Sequence, residues 1–338
     1  MSVSLGDVCS ARISTSSIGD NGLGEPFVLL AALVLDAIVG DPDWLWRRLP
    51  HPVVVFGRAI GFAEERLNDG RLPARVRRHR GAMVILALVV LAAGAGVVLE
   101  WVAAVSGRFG TGAEVIVVAI LLAQRSLAVH VRRVADGLRE GGLAGGKRAV
   151  SMIVGRDVSQ LDEAGVARAA VESLAENFSD GVVAPVLWYA IGGLPGLFAY
   201  KMINTADSMI GHRNERYRDF GRAAARIDDA ANWLPARLAA LLIMATRPLA
   251  FMRTWRTVSR DAPRHRSPNA GWPETAMACV SGLALGGPRT YASGAIDEPL
   301  LNGSGRRAAS RRDIELAVGT FWVACVIQAV PVLGWMLA

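Results

Sequence analysis

The stretch MVILALVVLAAGAGVVLEWVAAV, residues 83–105, sets the class of fold because Glu100 is its only charged side chain. An α-helix rises about 1.5 Å per residue, so roughly 20 apolar residues cross the ~30 Å hydrocarbon core of a bilayer. Glu100 lies near the end of the stretch, where a polar group reaches the membrane interface or a cavity. The sequence therefore predicts an integral membrane protein.

The composition of the 338 residues agrees with this prediction, since 52% are hydrophobic and only 20% are charged. A disordered chain would contain far fewer apolar residues. The 37 Lys and Arg against 30 Asp and Glu give a net charge of +7. No basic stripe with interleaved aromatic residues is present, so nucleic acid is not predicted as a partner. Anionic lipid headgroups or an anionic substrate are the partners that this charge predicts.

Other apolar stretches predict further membrane spans. Residues 316–337 also reach the length of a full crossing, residues 113–131 come close to it, and residues 27–40 form a shorter stretch that contains Asp36. No run of alternating residues is strong enough to predict a sheet. We therefore expect an all-α fold, a polytopic helical bundle, with spans near 27–40, 83–105, 113–131 and 316–337. Residues 1–24 are rich in Ser and Gly and are predicted to form a disordered extension.

The distribution of arginine predicts which loops face the cytoplasm. Arginine is concentrated in residues 47–80 and 125–168, so both segments are expected on the cytoplasmic side. The apolar segments 182–200 and 234–251 are each followed by another Arg-rich loop, which simple crossings would place on alternate sides. GGLPG at residues 192–196 interrupts the first segment. These two segments are therefore predicted to be bent or re-entrant, and such backbone is tolerated at membrane depth only beside protein or a wet cavity.

The first polar segment is VESLAENFSDGVVAP, residues 171–185. Glu172, Glu176 and Asp180 follow one another at steps of four residues, so on a helix they share one face, and Asn177 lies beside them. Three like charges on one face repel each other, and a divalent cation or a cationic substrate would relieve that repulsion. The alternative is an acidic face exposed to solvent.

The second polar segment is YKMINTADSM, residues 200–209. Lys201, Asn204 and Asp207 follow one another at steps of three residues, which places them on roughly one helix face. Amide and carboxylate oxygens suit magnesium, and an ammonium group beside them suits phosphate. The alternative is an ion pair at a helix end between Lys201 and a carboxylate.

Two further segments contain candidate site residues. Asp228 and Asp229 precede Asn232 and Arg237, and this group is typical either of metal ligands or of a helix N-terminus that Asn232 caps. His51 lies between two prolines that restrict the backbone around it. Such a histidine is a candidate acid, base or ligand, and the alternative is a rigid loop that happens to contain an imidazole.

Several longer strings in the chain resemble the adenosylcobinamide-phosphate synthase family of the cobalamin pathway. The similarity runs in the same order from about residue 29 to near the C terminus. The strings are GDP at 40–42, HPV at 51–53, RSLA at 125–128, VGRD at 154–157, AAVESLAENFSDGVVAP at 169–185, GGLPG at 192–196, YKMINTADSMIGH at 200–212, DDAANWLPARL at 228–238 and SPNAGWPE at 267–274.

The resemblance implies a multi-pass enzyme of the cell (inner or plasma) membrane, with residues 25–338 forming a single membrane-embedded catalytic domain whose active site faces the cytoplasm. Members of the family join the amine of (R)-1-amino-2-propanol O-phosphate to a propionate carboxylate of adenosylcobyric acid and hydrolyse ATP. The implied cofactors are ATP and Mg²⁺, and the implied partners are the corrinoid, the aminopropanol phosphate, the lipid bilayer and other late enzymes of the pathway.

The roles of individual residues follow from the chemistry of this amide synthesis. Magnesium ligands are expected at Glu172, Glu176, Asp180, Asn204 and Asp207. Contacts with the nucleotide or with phosphate are expected at Asn177, Lys201, Arg213 and Arg237. Proton transfer from the attacking ammonium group is expected at His51, Asp228 or Asp229.

Two other functions fit the residues without the resemblance. A magnesium-dependent membrane prenyl transferase would use Asn204 with Asp207 and the Asp228–Asp229 pair to bind a diphosphate, although the repeated D-x-x-x-D of such enzymes is missing. A corrinoid transporter, or a scaffold for other pathway enzymes, would bind the corrinoid without turnover.

Overall fold

The computed structural model describes residues 24–287, 289–291, 294–296 and 299–338, and within them the protein is almost entirely helical. The predicted N-terminal extension lies outside this part of the chain, apart from Gly24. The helices are α1 (Glu25–Ile38), α2 (Asp43–Trp46), α3 (Pro52–Leu67), α4 (Ala74–Val105), α5 (Gly107–Leu121), α6 (Gln124–Val150), α7 (Glu163–Phe178), α8 (Ala184–Ile210), α9 (Arg222–Ala231), α10 (Trp233–Ala245), α11 (Phe251–Asp261), α12 (Gly271–Ser281) and α13 (Arg311–Leu337).

Three short turns and four short strands complete the described fold. A π-helical turn, Ser179–Val183, joins α7 to α8, and the 3₁₀ turns Pro248–Ala250 and Ala262–Arg264 flank α11. Strand β1 (Leu285–Gly286) pairs antiparallel with β4 (Leu300–Leu301), and β2 (Arg289–Tyr291) pairs antiparallel with β3 (Gly294–Ile296). The prediction of an all-α fold is confirmed.

Four helical runs in the described chain are long and apolar enough to cross a membrane: Ala74–Val105, Gly107–Val150, Glu163–Ile210 and Arg311–Leu337. A fifth arises if α10 and the following Pro248–Arg264 segment, which meet at 112°, form one bent span. The chain is therefore a polytopic membrane protein, and the expected spans 83–105 and 316–337 lie within the first and last runs.

The expected span 27–40 is shorter in the structure than the hydrocarbon core of a bilayer. It corresponds to α1, whose 14 residues reach only about 21 Å, less than the ~30 Å hydrocarbon core. α1 packs instead on α5 and α13, and it contains the buried carboxylate of Asp36. The expected span 113–131 is interrupted, since α5 ends at Leu121 and the extended backbone of Leu122 precedes α6.

Asp36 explains how the break between α5 and α6 is stabilised. Its Oδ2 accepts a hydrogen bond of 2.7 Å from the backbone N–H of Gln124, which is the first residue of α6. The side-chain amide of Gln124 donates in turn to the carbonyl of Leu33, at 2.9 Å. The first N–H groups of a helix have no partner within the helix, so a buried helix start requires an acceptor of this kind.

The segments expected to be bent are bent, although in different ways. α8 is kinked at Gly192 and Gly193, where Gly193 takes the left-handed backbone conformation (φ 58°) that glycine allows. Pro195 follows the kink, and the carboxylate of Glu100 lies against Gly193 and the N–H of Leu194. Glu100, near the end of the α4 span, therefore accepts a hydrogen bond from a backbone N–H that the helix break leaves without a partner in the helix. Asp36 does the same at the start of α6.

The packing of α4 on α8 depends on a glycine at the contact. An added Cβ on Gly96 would overlap the backbone of Leu194 and Pro195, whereas one on Gly94, on the same helix, would meet no atom within 4 Å. Small residues let membrane helices approach closely, and that packing stabilises them where lipid offers no hydrophobic advantage.

We expect Gly96→Ala to destabilise the protein by about 1–3 kcal/mol, because the helix backbone behind it has no room to move. Gly94→Ala is the matched control and should be neutral or slightly stabilising. Thermal unfolding of the two variants in detergent measures the difference. Equal midpoints for the two variants would contradict the close contact between α4 and α8.

An ion pair fixes the loop between α8 and α9, which leads to Asp228. The buried carboxylate of Glu64 on α3 accepts two hydrogen bonds from Arg216, at 2.6 and 2.9 Å, and a third of 2.8 Å from Asn68. The hydrogen bonds from Arg216 are the largest cause that lowers the pKa of Glu64. The ionised carboxylate is therefore favoured in the folded state.

Glu64→Gln should lower the midpoint of thermal unfolding by about 2–5 °C at pH 7. Because the folded-state pKa is lowered, this stabilisation is present above the unfolded value of 4.5 and is lost as pH falls through the folded value. The difference from wild type should therefore shrink in acid. Glu65→Gln, at the exposed neighbouring position, is the control. A Glu64→Gln effect that is constant from pH 7 to pH 4 would exclude the ion pair as its cause.

Candidate functional site

Side chains from three consecutive elements meet in what we term the polar centre: Asp180 of the π-helical turn, Lys201, Asn204 and Asp207 of α8, and Asp228 of α9. Tyr200 joins these elements, because its buried hydroxyl lies 2.8 Å from the carbonyl oxygen of Asp180 and 2.9 Å from Oδ1 of Asn232. π-Helical turns occur often at functional sites, since the extra residue rotates the side chains that follow.

The carboxylates of the polar centre act on one another. Asp180 experiences the negative charges of Asp228, Glu176 and Asp207. Burial and, next, the charge of Asp207 raise the pKa of Asp228, the amides of Asn232 and Asn204 oppose part of the rise, and the net result is a pKa of about 7. No described residue donates a hydrogen bond to the buried Oδ1 of Asp228. The centre therefore combines negative charge with an acceptor that is available to a ligand.

Lys201 provides the positive charge of the polar centre. Its side chain is buried and is attracted by Asp180 on one side and by Asp41 and Asp36 on the other. Among the described residues, no carboxylate lies within 4 Å of its ammonium group. The alternative of an ion pair at a helix end is therefore wrong, and the ammonium group is oriented by a field from several carboxylates.

His51 takes part in helix capping. Its Nδ1 accepts a hydrogen bond of 3.2 Å from the N–H of Val53 at the start of α3, and Trp46 packs against the ring edge. Nε2 lies 3.7 Å from Oδ1 of Asp41, which is one of the carboxylates that attract Lys201. The two prolines thus hold a histidine that caps α3 through Nδ1. Its other nitrogen, Nε2, lies near Asp41, and the charge of Asp41 acts on Lys201.

Glu172 does not join the polar centre. It lies two helical turns before Asp180, about 12 Å along the axis, and it is paired with Arg156 at 2.8 Å. Its other oxygen accepts a hydrogen bond of 2.8 Å from the N–H of Gly286. The five predicted magnesium ligands therefore do not surround a single position. Glu176, one turn further on, lies between Glu172 and the polar centre.

The remaining predicted residues have identifiable contacts. Arg237 lies between the rings of Trp233 and Trp272, at 4.3 and 4.6 Å, and donates to the carbonyl of Trp233. It therefore joins α10 to α12, and its contact with phosphate remains a prediction. The amide of Asn177 donates to the carbonyl of Ser173 within its own helix.

Arg213 and Asp229 lie at the exposed edge of the site. Burial raises the pKa of Asp229, and the charge of Arg213 opposes that rise. The carbonyl of Asp229 accepts a hydrogen bond of 2.8 Å from Asn269, so this edge of α9 is attached to the turn before α12. Asn232 ends α9 with αR backbone and makes no side-chain cap, so the cap interpretation of Asn232 is wrong.

The sequence pattern does not identify Asp36, Asp41 or Tyr200 as residues of this site, and it suggests a different role for Asn232. Asp36 and Asp41 face Lys201, while Tyr200 and Asn232 connect the elements. A signal existed for Asp36, because a carboxylate within an apolar segment is rarely tolerated without a function. The contact between Tyr200 and Asn232 joins residues 32 positions apart, and no local pattern indicates it.

The oxygen donors of the polar centre fit a magnesium ion whose remaining ligands come from outside the protein. No three His, Cys, Asp or Glu side chains in the described part of the chain are grouped so that they could hold a metal ion alone. Magnesium usually takes one or two carboxylates, with water and phosphate oxygens completing its six positions. Asp180, Asn204 and Asp207 supply oxygen donors of that kind, so the polar centre fits an ion that arrives with a phosphate-bearing substrate.

Comparison with known proteins gives a consistent result. Residues 29–321 match the model of the family described as CobD/Cbib protein. A cobalamin biosynthesis protein CobD from a Sinorhizobium species is 55% identical over 316 residues, which cover 92% of this chain and 97% of the relative. The protein of the same name from Rhodobacter capsulatus is 46% identical over 293 residues, 86% of this chain and 90% of the relative. No solved structure matches the chain.

Proposed function

The chain belongs to the CobD/CbiB family and has a role in cobalamin biosynthesis, and we propose that it performs the adenosylcobinamide-phosphate synthase reaction. The enzyme joins a propionate carboxylate of adenosylcobyric acid to the amine of (R)-1-amino-2-propanol O-phosphate and uses ATP. The observation that carries this proposal is the polar centre, in which a buried ammonium group and three carboxylates meet within a membrane protein.

Amide formation from a carboxylate requires activation, because its oxygen is a poor leaving group. An oxygen of the corrin carboxylate attacks the γ-phosphorus of ATP, the bond to ADP breaks, and an acyl phosphate forms. The amine nitrogen then attacks the acyl carbon, the C–N bond forms, and inorganic phosphate leaves with the electrons of the broken C–O bond. The ammonium group loses one proton before the attack and a second as the amide forms.

The residues of the polar centre divide this work between them. Lys201 is placed to hold an anionic oxygen of the corrin carboxylate or of the transferred phosphoryl group. The free Oδ1 of Asp228 is placed to take the proton of the ammonium group. Asp180, Asn204 and Asp207 would hold a magnesium ion. When bound, this ion would neutralise part of the negative charge of the phosphate groups.

The arginine distribution supports a cytoplasmic position for the site. The loop between α8 and α9 begins beside Asp207 and contains three arginines, at 213, 216 and 218, and Arg222 follows as the first residue of α9. Positive loops are retained on the cytoplasmic side. We place the protein in the cell membrane with the polar centre open to cytoplasmic ATP.

A thiol label on the variant Arg213→Cys should react only when the cytoplasmic face of the membrane is accessible. Reaction of this cysteine from outside intact cells would overturn the proposed orientation.

Asp228→Asn should reduce the turnover number by at least about 100-fold, because an amide cannot accept the ammonium proton. The measurement is adenosylcobinamide phosphate formed by purified protein from adenosylcobyric acid, ATP, Mg²⁺ and the aminopropanol phosphate. Asp136→Asn, at a half-exposed ion pair on α6, is the control. Corrinoid binding without ATP-dependent product in the wild type would favour a transporter or scaffold, and full activity of Asp228→Asn would exclude Asp228 as the base.

Asp207→Asn should raise the Mg²⁺ concentration needed for half-maximal activity by about tenfold or more, since a neutral amide holds the ion less strongly. The activity that remains should recover, at least in part, at high Mg²⁺. The same titration with Asp136→Asn should reproduce the wild-type curve. An unchanged Mg²⁺ dependence in Asp207→Asn would remove this residue from the ion site.

A further inference from the structure

A second polar cavity lies beside the polar centre, between the loop after α6, α7 and α12. Its volume is about 110 Å³. The polar side chains around it are Arg156, Glu172, Ser173, Glu176 and Glu274, and the apolar part of the wall comes from Ile153, Val154 and Ala169. The cavity therefore presents both signs of charge together with a small apolar surface.

Arg156 is the cation in the wall of this cavity, and one of its donors has no acceptor. Its side chain is 10% exposed and its Nη2 donates to Glu172 at 2.8 Å. Glu172 is itself fixed by the N–H of Gly286, so this pair holds the guanidinium in place. The buried Nε of Arg156 finds no hydrogen-bond acceptor among the described residues. An unsatisfied buried donor costs about 1–3 kcal/mol, which an acceptor on a ligand would recover.

Two other carboxylates face the same cavity from different elements. Glu274 on α12 is 1% exposed, with Nε2 of His265 at 3.9 Å, and Glu176 is an exposed residue of α7. Carboxylates placed around a cavity suit a ligand ammonium group, which donates three hydrogen bonds. The fixed guanidinium of Arg156 repels a second metal ion, so a molecule with both a cationic and an acceptor end fits this wall better.

The volume limits the size of the ligand. A cavity of about 150 Å³ holds benzene, so 110 Å³ accommodates roughly five non-hydrogen atoms. That is the size of 1-amino-2-propanol, so a phosphoryl group on it would extend out of the cavity, and a nucleotide or a corrin is excluded. The C-terminal end of this wall adjoins the polar centre, because Glu176 lies one helical turn before Asp180 and its charge acts on that carboxylate. A small molecule bound here is within reach of the activated carboxylate.

We propose that this cavity binds the amine co-substrate, a short primary amine with a hydroxyl or phosphoryl oxygen on the neighbouring carbons. Glu176 and Glu274 bind the ammonium end, Nε of Arg156 donates to the oxygen of the other end, and Ala169 and Val154 contact the methyl group. Glu172 positions Arg156. This inference rests on the proposed function, and it assigns Glu172 and Glu176 to the amine rather than to magnesium.

The test is steady-state kinetics with Glu176→Gln, Glu274→Gln and Arg156→Gln, in which each substrate is varied in turn. We expect the KM for the amine to rise at least about tenfold, while the KM values for ATP and adenosylcobyric acid stay near the wild type. Glu163→Gln, at an exposed position in the first turn of α7, is the control. Because Glu176 is exposed, its variant should fold even if Glu274→Gln does not.

Each measurement is made with free 1-amino-2-propanol and with its O-phosphate. A larger effect of Arg156→Gln on the phosphorylated amine identifies a phosphoryl oxygen at Nε, and an equal effect identifies the hydroxyl oxygen. Unchanged amine KM values in both Glu176→Gln and Arg156→Gln would overturn the inference and leave the proposed function intact. If the wild type forms no product, calorimetric titration of the two amines into wild type and Glu176→Gln still tests the cavity. Equal affinities, or no binding to either protein, would then overturn it.

Discussion

Backbone groups freed at helix breaks inside an apolar bundle have no water to bond, so each break needs a polar side chain beside it. Asp36 accepts from the first N–H of α6, and Glu100 lies at the kink of α8. Tyr200 reaches the carbonyl of Asp180 in the π-helical turn. These three contacts explain why single polar residues occur in segments that are otherwise apolar. They also fix the relative positions of the helices that meet there.

The same breaks bring the site together. Asp180 lies in the π-helical turn that joins α7 to α8, eight residues after Glu172, and the acidic residues of this segment divide between two places. Asp180 joins Lys201, Asp207 and Asp228 in the polar centre, while Glu172 pairs with Arg156 beside the smaller cavity. On the proposed function, an enzyme that activates one substrate and then admits a second can use two adjacent polar sites. On our account the large substrates meet in the polar centre and the small amine enters beside it.

Much of this arrangement is predictable from the sequence, because apolar length and arginine distribution are local properties. The long spans, the helical class and the polar segments around Lys201 and Asp228 follow directly from them. The pairing of Glu172 with Arg156 does not, because these two residues belong to different elements and meet only in the folded protein. The position of Arg237 between the rings of Trp233 and Trp272 also depends on tertiary packing, and the local sequence does not indicate it. Contacts between residues far apart in the chain, such as Tyr200 with Asn232, depend on tertiary packing.

On our account the Tyr200 hydroxyl holds the polar centre in its active arrangement. Two tyrosines on α8, Tyr189 and Tyr200, allow a direct test of this role. Tyr189 donates a hydrogen bond of 2.7 Å to Glu114, away from the polar centre, so Tyr189→Phe removes a similar bond elsewhere on the same helix. Thermal unfolding and product formation are measured for Tyr189→Phe and Tyr200→Phe. Our account predicts that both variants lose stability and that only Tyr200→Phe loses at least about tenfold in turnover. Wild-type turnover in Tyr200→Phe, or an equal loss in both variants, would contradict it.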